Sequence, residues 1–394
     1  MKVAIVHEQV DVRRGGAETS VVEMAGAIAA RGVSVTVLFR GPRSGGFIRD
    51  NVTYEPLAAG GGSRLLQTYR FVQAATRACR GGVFDIVHAV TPVLCADVYQ
   101  PRGGLYPEAI ARSLAPEPSP LWRALRRLGR RFNLRQRFLM RLERVLLTQR
   151  RERVWVAALS EYVRQQALVH AAVPPSRVRV VLNGVSRPPA GASTEGRELR
   201  ARLGIAPDLP LLLFVGHNFE LKGLGALLGA LAAAGRDAAA HVRAARAVLL
   251  VCGRDRAGPY AARAGRLGLA DRVRFAGPVE DLAAWYAAAD ALAHPTWYDP
   301  CSRVVLEALA SGLPAVTTRW NGAADVMEPG RHGEVLAGPD DTAALAAAIE
   351  RVLDPRVRAA CRADAARLAG LVSMDRHAAG LVALYEEVLA ARRG

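Results

Sequence analysis

Short apolar runs alternate along the chain with longer stretches in which apolar residues recur every three or four positions. The runs Val3 to Val6, Val33 to Phe39, Phe84 to His88, Val154 to Ala158 and Val178 to Leu182 predict strands in the first half. Leu211 to Val215, Val248 to Val251, Val273 to Phe275, Ala291 to Ala293, Ala315 to Thr317 and Glu334 to Leu336 do so in the second. Between them, Glu18 to Ala30, Gly225 to Ala234 and Thr342 to Leu353 carry helical spacing, and Ala232 to Ala245 reads as a helix with a surface turn. Strand followed by helix, repeated, predicts parallel sheets with helices on both faces. Asn183-Gly184 ends a strand, and a Pro/Gly/Ser stretch from Arg187 to Ser193 precedes a helix around Glu195 to Leu203. The expected organisation is therefore α/β: a lobe over 1–185, a linker over 186–193 and a lobe over 194–375. Each lobe is doubly wound, and in such sheets ligands bind at the carboxyl ends of the strands.

Composition supports that outline. At roughly 150 residues per domain, 394 residues suit two lobes, and 51% hydrophobic with 23% charged residues excludes disorder as the main state. The first apolar run is too short for the core of a signal peptide, and no run approaches the roughly 18 apolar residues of a membrane span. A cytoplasmic protein is expected. The five cysteines are scattered, with no Cys-x-x-Cys pair and no histidine at ligand spacing, so neither a disulfide frame nor a metal site is expected.

Charge changes the picture more. The formal net charge of +17 implies an anionic partner: nucleotide phosphate, an acidic membrane surface or nucleic acid. Leu121 to Arg153 alone holds twelve arginines against Glu143 and Glu152. Trp122, Leu125, Leu128, Phe132, Phe138, Leu139, Leu142, Val145 and Leu146 are interleaved with them at helical spacing. Two readings stay open: a surface helix packed on its own lobe, or a face that docks on anionic lipid or a phosphorylated acceptor.

Three strand-to-helix turns carry candidate chemistry. The first contains Gly15-Gly16 just before a helix, where backbone N–H groups can approach an anion or sugar; a plain tight turn explains the pair equally well. It is not Gly-x-Gly-x-x-Gly, which counts against a nicotinamide dinucleotide enzyme. The second reads Val215-Gly216-His217-Asn218-Phe219-Glu220-Leu221-Lys222-Gly223. Lys222 is one of only two lysines beside 51 arginines, and a flexible point charge on a helix-initiating loop suits a departing pyrophosphate. In the third, Asp299-Pro300-Cys301-Ser302-Arg303 leads into a helix starting near Ser302, and Glu307 lies more than a turn inside it. The helix start can face phosphate or sugar hydroxyls, and a carboxylate such as Glu307 can accept from two vicinal hydroxyls.

With these residues in view, Leu211 to Pro339 resembles the nucleotide-sugar-binding lobe of the retaining family 4 glycosyltransferases of GT-B fold. The resemblance rests on Val215-Gly216 with Lys222-Gly223, Val251-Cys252-Gly253, Val273 to Gly277, the Asp-x7-Glu pair, Gly312-Leu313-Pro314 and Gly330 to Pro339. Gly15-Gly16-Ala17-Glu18, Phe84 to His88 and Leu182 to Val185 extend it through the first lobe. The lysine loop is also similar to that of the lipopolysaccharide core glucosyltransferases. The resemblance implies two Rossmann-like lobes facing a central cleft, with the last helix, over 376–394, crossing back to the first lobe. It implies that Lys222 neutralises the donor diphosphate and that Glu307 binds the ribose. Asp299 and Pro300, with the backbone amides of Cys301, Ser302 and Arg303, would contact the donor sugar. Gly15 and Gly16 would border the diphosphate and the acceptor, and His88 would contact the transferred sugar. Two departures are visible: Asp299 stands where the family usually has Glu, and His217 where it usually has Arg, leaving Lys222 as the main fixed charge.

The implied reaction is transfer of a hexosyl unit, with retention, from a nucleotide diphosphate sugar to a glycan or glycolipid of the cell envelope, UDP-glucose being favoured. No Asp-x-Asp occurs, and no metal or other cofactor is expected, because the lysine and helix termini can take the diphosphate charge. Closure about Asn183 to Ser193 would exclude water. Two alternatives stay open: a GT-B sugar-nucleotide epimerase or hydrolase, and a non-enzymatic basic module for nucleic acid or membrane. Nucleic acid is not the expected partner, since such a module would leave the second-lobe motifs unexplained; attachment to the inner face of a membrane is compatible with the transferase.

Overall fold

The computed structural model describes residues 1–10, 16–41, 51–57, 60–117, 119–130, 132–149, 152–186 and 192–393, with backbone only at 16–18 and 192–193. Gly15 and residues 187–191 of the expected linker lie outside the described residues. The chain divides into two compact units, Met1–Gly184 with Met374–Gly394, and Val185–Ser373.

The strands of the first unit are β1 (Lys2–Val6), β2 (Ser34–Arg40), β3 (Thr53–Leu57), β4 (Ile86–Ala89), β5 (Val98–Tyr99), β6 (Trp155–Ala158) and β7 (Val178–Val180). Its helices are α1 (Gly16–Ala29), α2 (Arg64–Ala78), α3 (Tyr106–Arg112), α4 (Pro120–Arg130), α5 (Leu134–Gln149) and α6 (Glu161–Ala171). The second unit contains β8 (Leu211–Val215), β9 (Val248–Cys252), β10 (Val273–Gly277), β11 (Ala291–Ala293), β12 (Ala315–Thr318) and β13 (Gly333–Leu336). Its helices are α7 (Ala192–Arg202), α8 (Leu224–Arg236), α9 (Gly258–Arg266), α10 (Ala283–Ala288), α11 (Arg303–Ala310), α12 (Thr342–Val352) and α13 (Pro355–Leu371). The last helix, α14 (Met374–Ala390), belongs to the first unit.

Both sheets are parallel throughout, in the orders β3-β2-β1-β4-β5-β6-β7 and β10-β9-β8-β11-β12-β13. In each, the chain moves outward from the first strand and then returns to its other side. The switch point lies between β1 and β4 in one unit and between β8 and β11 in the other, where doubly wound sheets form ligand crevices. The period of two sorts β1: Val3 and Ile5 face α1 and α14, while Ala4 and Val6 face α2, α5 and α6. Leu381, Leu384, Tyr385 and Val388 bind α14 into the first of these cores, so burial of its apolar stripe holds it to the first unit. In the second unit, Leu212, Phe214, Leu249 and Val251 meet Leu227, Leu231, Leu345 and Ile349 from α8 and α12.

The structure adds two strands to those expected. β3 carries Pro56 at the sheet edge, and β5 has only two residues. The expected strand to Leu182 stops at Val180. The basic stretch 121–153 is not one helix: Asn133 interrupts it, and its Oδ1 accepts from Gln136 N at 3.1 Å to start α5. Among the described residues, no helix is long and apolar enough to cross a membrane.

Candidate active site

The β8 strand ends at Val215, and the following loop is shaped by Asn218, whose Oδ1 accepts from Leu221 N at 2.9 Å while its carbonyl accepts from Lys222 N at 2.9 Å. Phe219 drops beneath this turn and packs edge-on against Phe214 and Tyr260. Two glycines let the backbones meet. A Cβ on Gly223, which has φ +81°, would lie 2.0 Å from Pro295 O, and one on Gly253 would lie 1.8 Å from Gly216 O. The loop is tied to the segment after β11 by Trp297 N, which donates to Leu221 O at 2.9 Å.

That tie brings Lys222 to Asp299. Nζ is 2.5 Å from Oδ2, and the side chains are only 18% and 15% exposed. The Asp299 main chain is pinned on both sides, its N–H to Trp320 O at 2.9 Å and its carbonyl to Gly322 N at 3.0 Å. Burial alone would raise its pKa, but Lys222 and His294 overcome that and hold the carboxyl well below its ordinary range. His294 is wholly buried, stacks on Phe214, and sets Nε2 3.9 Å from Asp299 Oδ2 and 3.5 Å from Ser302 Oγ. Burial pushes its pKa down, which favours a neutral ring.

Asp299 Oδ1 accepts from Cys301 N at 3.1 Å, and Asn321 Oδ1 accepts from Ser302 N at 3.1 Å. Both amides, expected to face the donor sugar, thus donate within the protein here. The side chains of Cys301 and Ser302 are buried, as is Pro300. Arg303 opens α11, and one turn later Glu307 Oε1 accepts from its Nη2 at 3.4 Å. Glu307 Oε2 accepts from the buried Tyr286 hydroxyl at 2.9 Å. His217 is exposed on the Lys222 loop. Partial loss of water around its ring, then Arg254 and Lys222, lower its pKa, so it is a poor cation near neutral pH.

The first unit departs further from expectation. Gly16 is the first residue of α1, but Gly15 is outside the described residues. His88 is corrected outright as a sugar contact. It sits in register between Ile5 and Val98, has no exposed surface, and sets Nδ1 2.5 Å from Tyr385 Oη of α14. Burial drives its pKa down to about 3, so the ring is a neutral core group. Asn183 is structural too: its Oδ1 accepts from Gly184 N at 3.0 Å and from Arg102 Nη2 at 2.8 Å. Arg102 also reaches Ser20 of α1 and Gln100 after β5. Tyr286, His294 and Asn321 are site-shaping residues that sequence reasoning missed. Only Asn321 had a local signal, as a residue type that caps turns.

Two family models match the chain, Glycosyltransferase Family 4 over residues 14–187 and Glycosyl transferases group 1 over residues 209–355. A D-inositol 3-phosphate glycosyltransferase of Catenulispora acidiphila is 37% identical over 178 residues, covering 42% of this chain and 40% of that protein. The lipopolysaccharide glucosyltransferase WaaG of Escherichia coli is 32% identical over 173 residues, covering 43% and 45%. The chain thus matches about half the length of these curated relatives. A WaaG crystal structure superimposes with a TM-score of 0.74 at 22% identity, covering 96% of this chain and 99% of that one. Anabaena HepE in complex with UDP and glucose does so with 0.71 at 19% identity, covering 98% and 100%. The two models between them take in both units and both switch-point motifs: the first unit carries a Glycosyltransferase Family 4 domain and the second a Glycosyl transferases group 1 domain, on the GT-B fold.

Proposed function

We propose that the chain is a retaining hexosyltransferase that uses a nucleotide diphosphate sugar and glycosylates a glycan or glycolipid of the cell envelope without a metal ion. The observation that carries this reading is the Lys222–Asp299 pair at the β8/β11 switch point, with Glu307 on the helix that follows. Lys222 meets the diphosphate and stabilises the charge that develops as it leaves. Asp299, released from the lysine, accepts from hydroxyls of the donor sugar, and Glu307 accepts from the ribose. The bond from the anomeric carbon to the diphosphate oxygen breaks with its electron pair going to the diphosphate. The acceptor oxygen bonds to the same face of that carbon, and its proton passes to a diphosphate oxygen. UDP-glucose is the first donor to try, because UDP and glucose occupy a neighbour of the same fold.

A peripheral membrane site on the cytoplasmic face accompanies this reading, and α4 supports it. Leu121, Trp122, Leu125 and Leu128, with Phe132 and Leu134 beyond the helix, are all exposed, and α4 buries no residue. Arg123 and Arg130 turn inward to the carbonyls of Glu117 and Ile110. An apolar stripe turned outward beside arginines fits an anionic bilayer surface. By contrast, α5 buries Leu139, Leu142 and Leu146 in its own unit.

Incubation with UDP-, GDP- and ADP-hexoses and a lipid-linked glycan, with or without EDTA, tests the reaction. A glycosylated product of retained anomeric configuration, formed equally with chelator, supports it. Free sugar or an epimerised nucleotide as the sole product overturns it.

A further inference from the structure

Glu307 is gripped from two elements. Arg303, a turn earlier on α11, reaches Oε1 at 3.4 Å, whereas the shorter contact, 2.9 Å to Oε2, comes from Tyr286 of α10. Tyr286 is 4% exposed, so its hydroxyl is aimed by packing rather than by solvent. Burial and the neighbouring carboxylate push its pKa well above the ordinary value, so it stays a hydrogen donor at every working pH. A glutamate side chain has three rotatable bonds, and accepting from two vicinal hydroxyls requires its carboxylate plane to be set.

We propose that Tyr286 is a positioning residue for ribose recognition: its hydroxyl fixes the Glu307 carboxylate so that both oxygens meet the vicinal diol of the donor nucleotide. The inference rests on the donor reading of Glu307. Tyr286 itself does not touch the nucleotide. A 2′-deoxynucleotide offers one hydroxyl where ribose offers two, and a single hydrogen bond tolerates a rotated carboxylate. Discrimination between ribose and deoxyribose therefore depends on Tyr286, while deoxynucleotide affinity does not.

Calorimetric binding of UDP, ADP and GDP and of their 2′-deoxy forms to the wild type, Tyr286→Phe, Glu307→Gln and the double variant tests this. The wild type should prefer the best ribonucleotide by about tenfold or more, the scale of a hydrogen bond to a charged group. Tyr286→Phe should weaken that ribonucleotide several-fold, leave its deoxy form unchanged and bring the preference below about threefold. In the Glu307→Gln background the same change should do nothing further. Equal loss for both sugars in Tyr286→Phe, or no loss for either, overturns the inference while leaving the donor site intact. If no ribonucleotide binds the wild type, the donor reading falls and the inference with it.

Discussion

Lys222 and Asp299 neutralise each other, with Nζ 2.5 Å from Oδ2, so in the proposed reaction the cation that would meet the diphosphate is held by the carboxylate that would take its sugar. Binding a donor is then an exchange of partners. Asp299→Asn should tighten binding of UDP without sugar by about fivefold, the upper end for a partly exposed ion pair, while lowering transfer. Lys222→Ala should lower kcat by about 100-fold or more. Steady-state kinetics with calorimetry checks both, and weaker UDP binding in Asp299→Asn would contradict the exchange.

The outward apolar stripe of α4 predicts membrane attachment that mutation can remove. Trp122→Ala with Leu125→Ser and Leu128→Ser should abolish co-flotation with vesicles containing phosphatidylglycerol while leaving donor binding intact, because α4 buries none of its residues. Flotation that survives the triple change, or that is absent in the wild type, would contradict it.

Much of this architecture was legible because buried parallel strands leave near-continuous apolar runs, as in Leu211 to Val215, and glycines mark where the backbones converge. Val98–Tyr99 is too short to show any period, and Pro56 disguises β3. Lys222, Asp299 and Glu307 stood out because packing alone seldom calls for a charged side chain at or just beyond a strand-to-helix turn. His88 misled: it lies in a strand buried on both faces, where period two assigns its ring to the core beside Ile86. Tyr286 gave no signal, since a tyrosine in an Ala-rich helix reads as packing until its hydroxyl partner is seen.

His88 predicts an acid-sensitive core. Its pKa falls from 6.5 in the unfolded chain to about 3 in the fold, so the unfolded chain binds more protons across that window. Its contribution to stability is complete above pH 6.5 and is lost as pH falls toward 3. His88→Gln should be less stable at pH 7 but lose less on acidification, by up to about one proton in the slope, with donor KM unchanged. Urea melts from about pH 7 to 4 measure this, and a raised KM with no change in that slope would return His88 to the substrate.

Glu143 predicts the opposite sign. Burial raises its pKa from 4.5 to about 7, against the hydrogen bonds from Tyr99 Oη and Tyr106 N. The fold binds the extra proton, so stability falls as pH climbs from 4.5 to about 7, by on the order of 3 kcal/mol at most. Glu143→Gln should remove that decline in the same melts, since the Tyr99 hydroxyl can turn to accept from the amide. An unchanged decline would contradict the assignment.

Whether the β8/β11 switch point holds a nucleotide sugar is read by thermal shift of the wild type, Lys222→Ala and Glu307→Ala against UDP-, GDP- and ADP-sugars. A ligand at about 100 times its Kd adds about 2.7 kcal/mol to the folded state and raises Tm visibly. One donor should raise the wild-type Tm, and either substitution should abolish the rise. A rise that survives both substitutions, or none with any donor, would contradict a donor site built on Lys222 and Glu307.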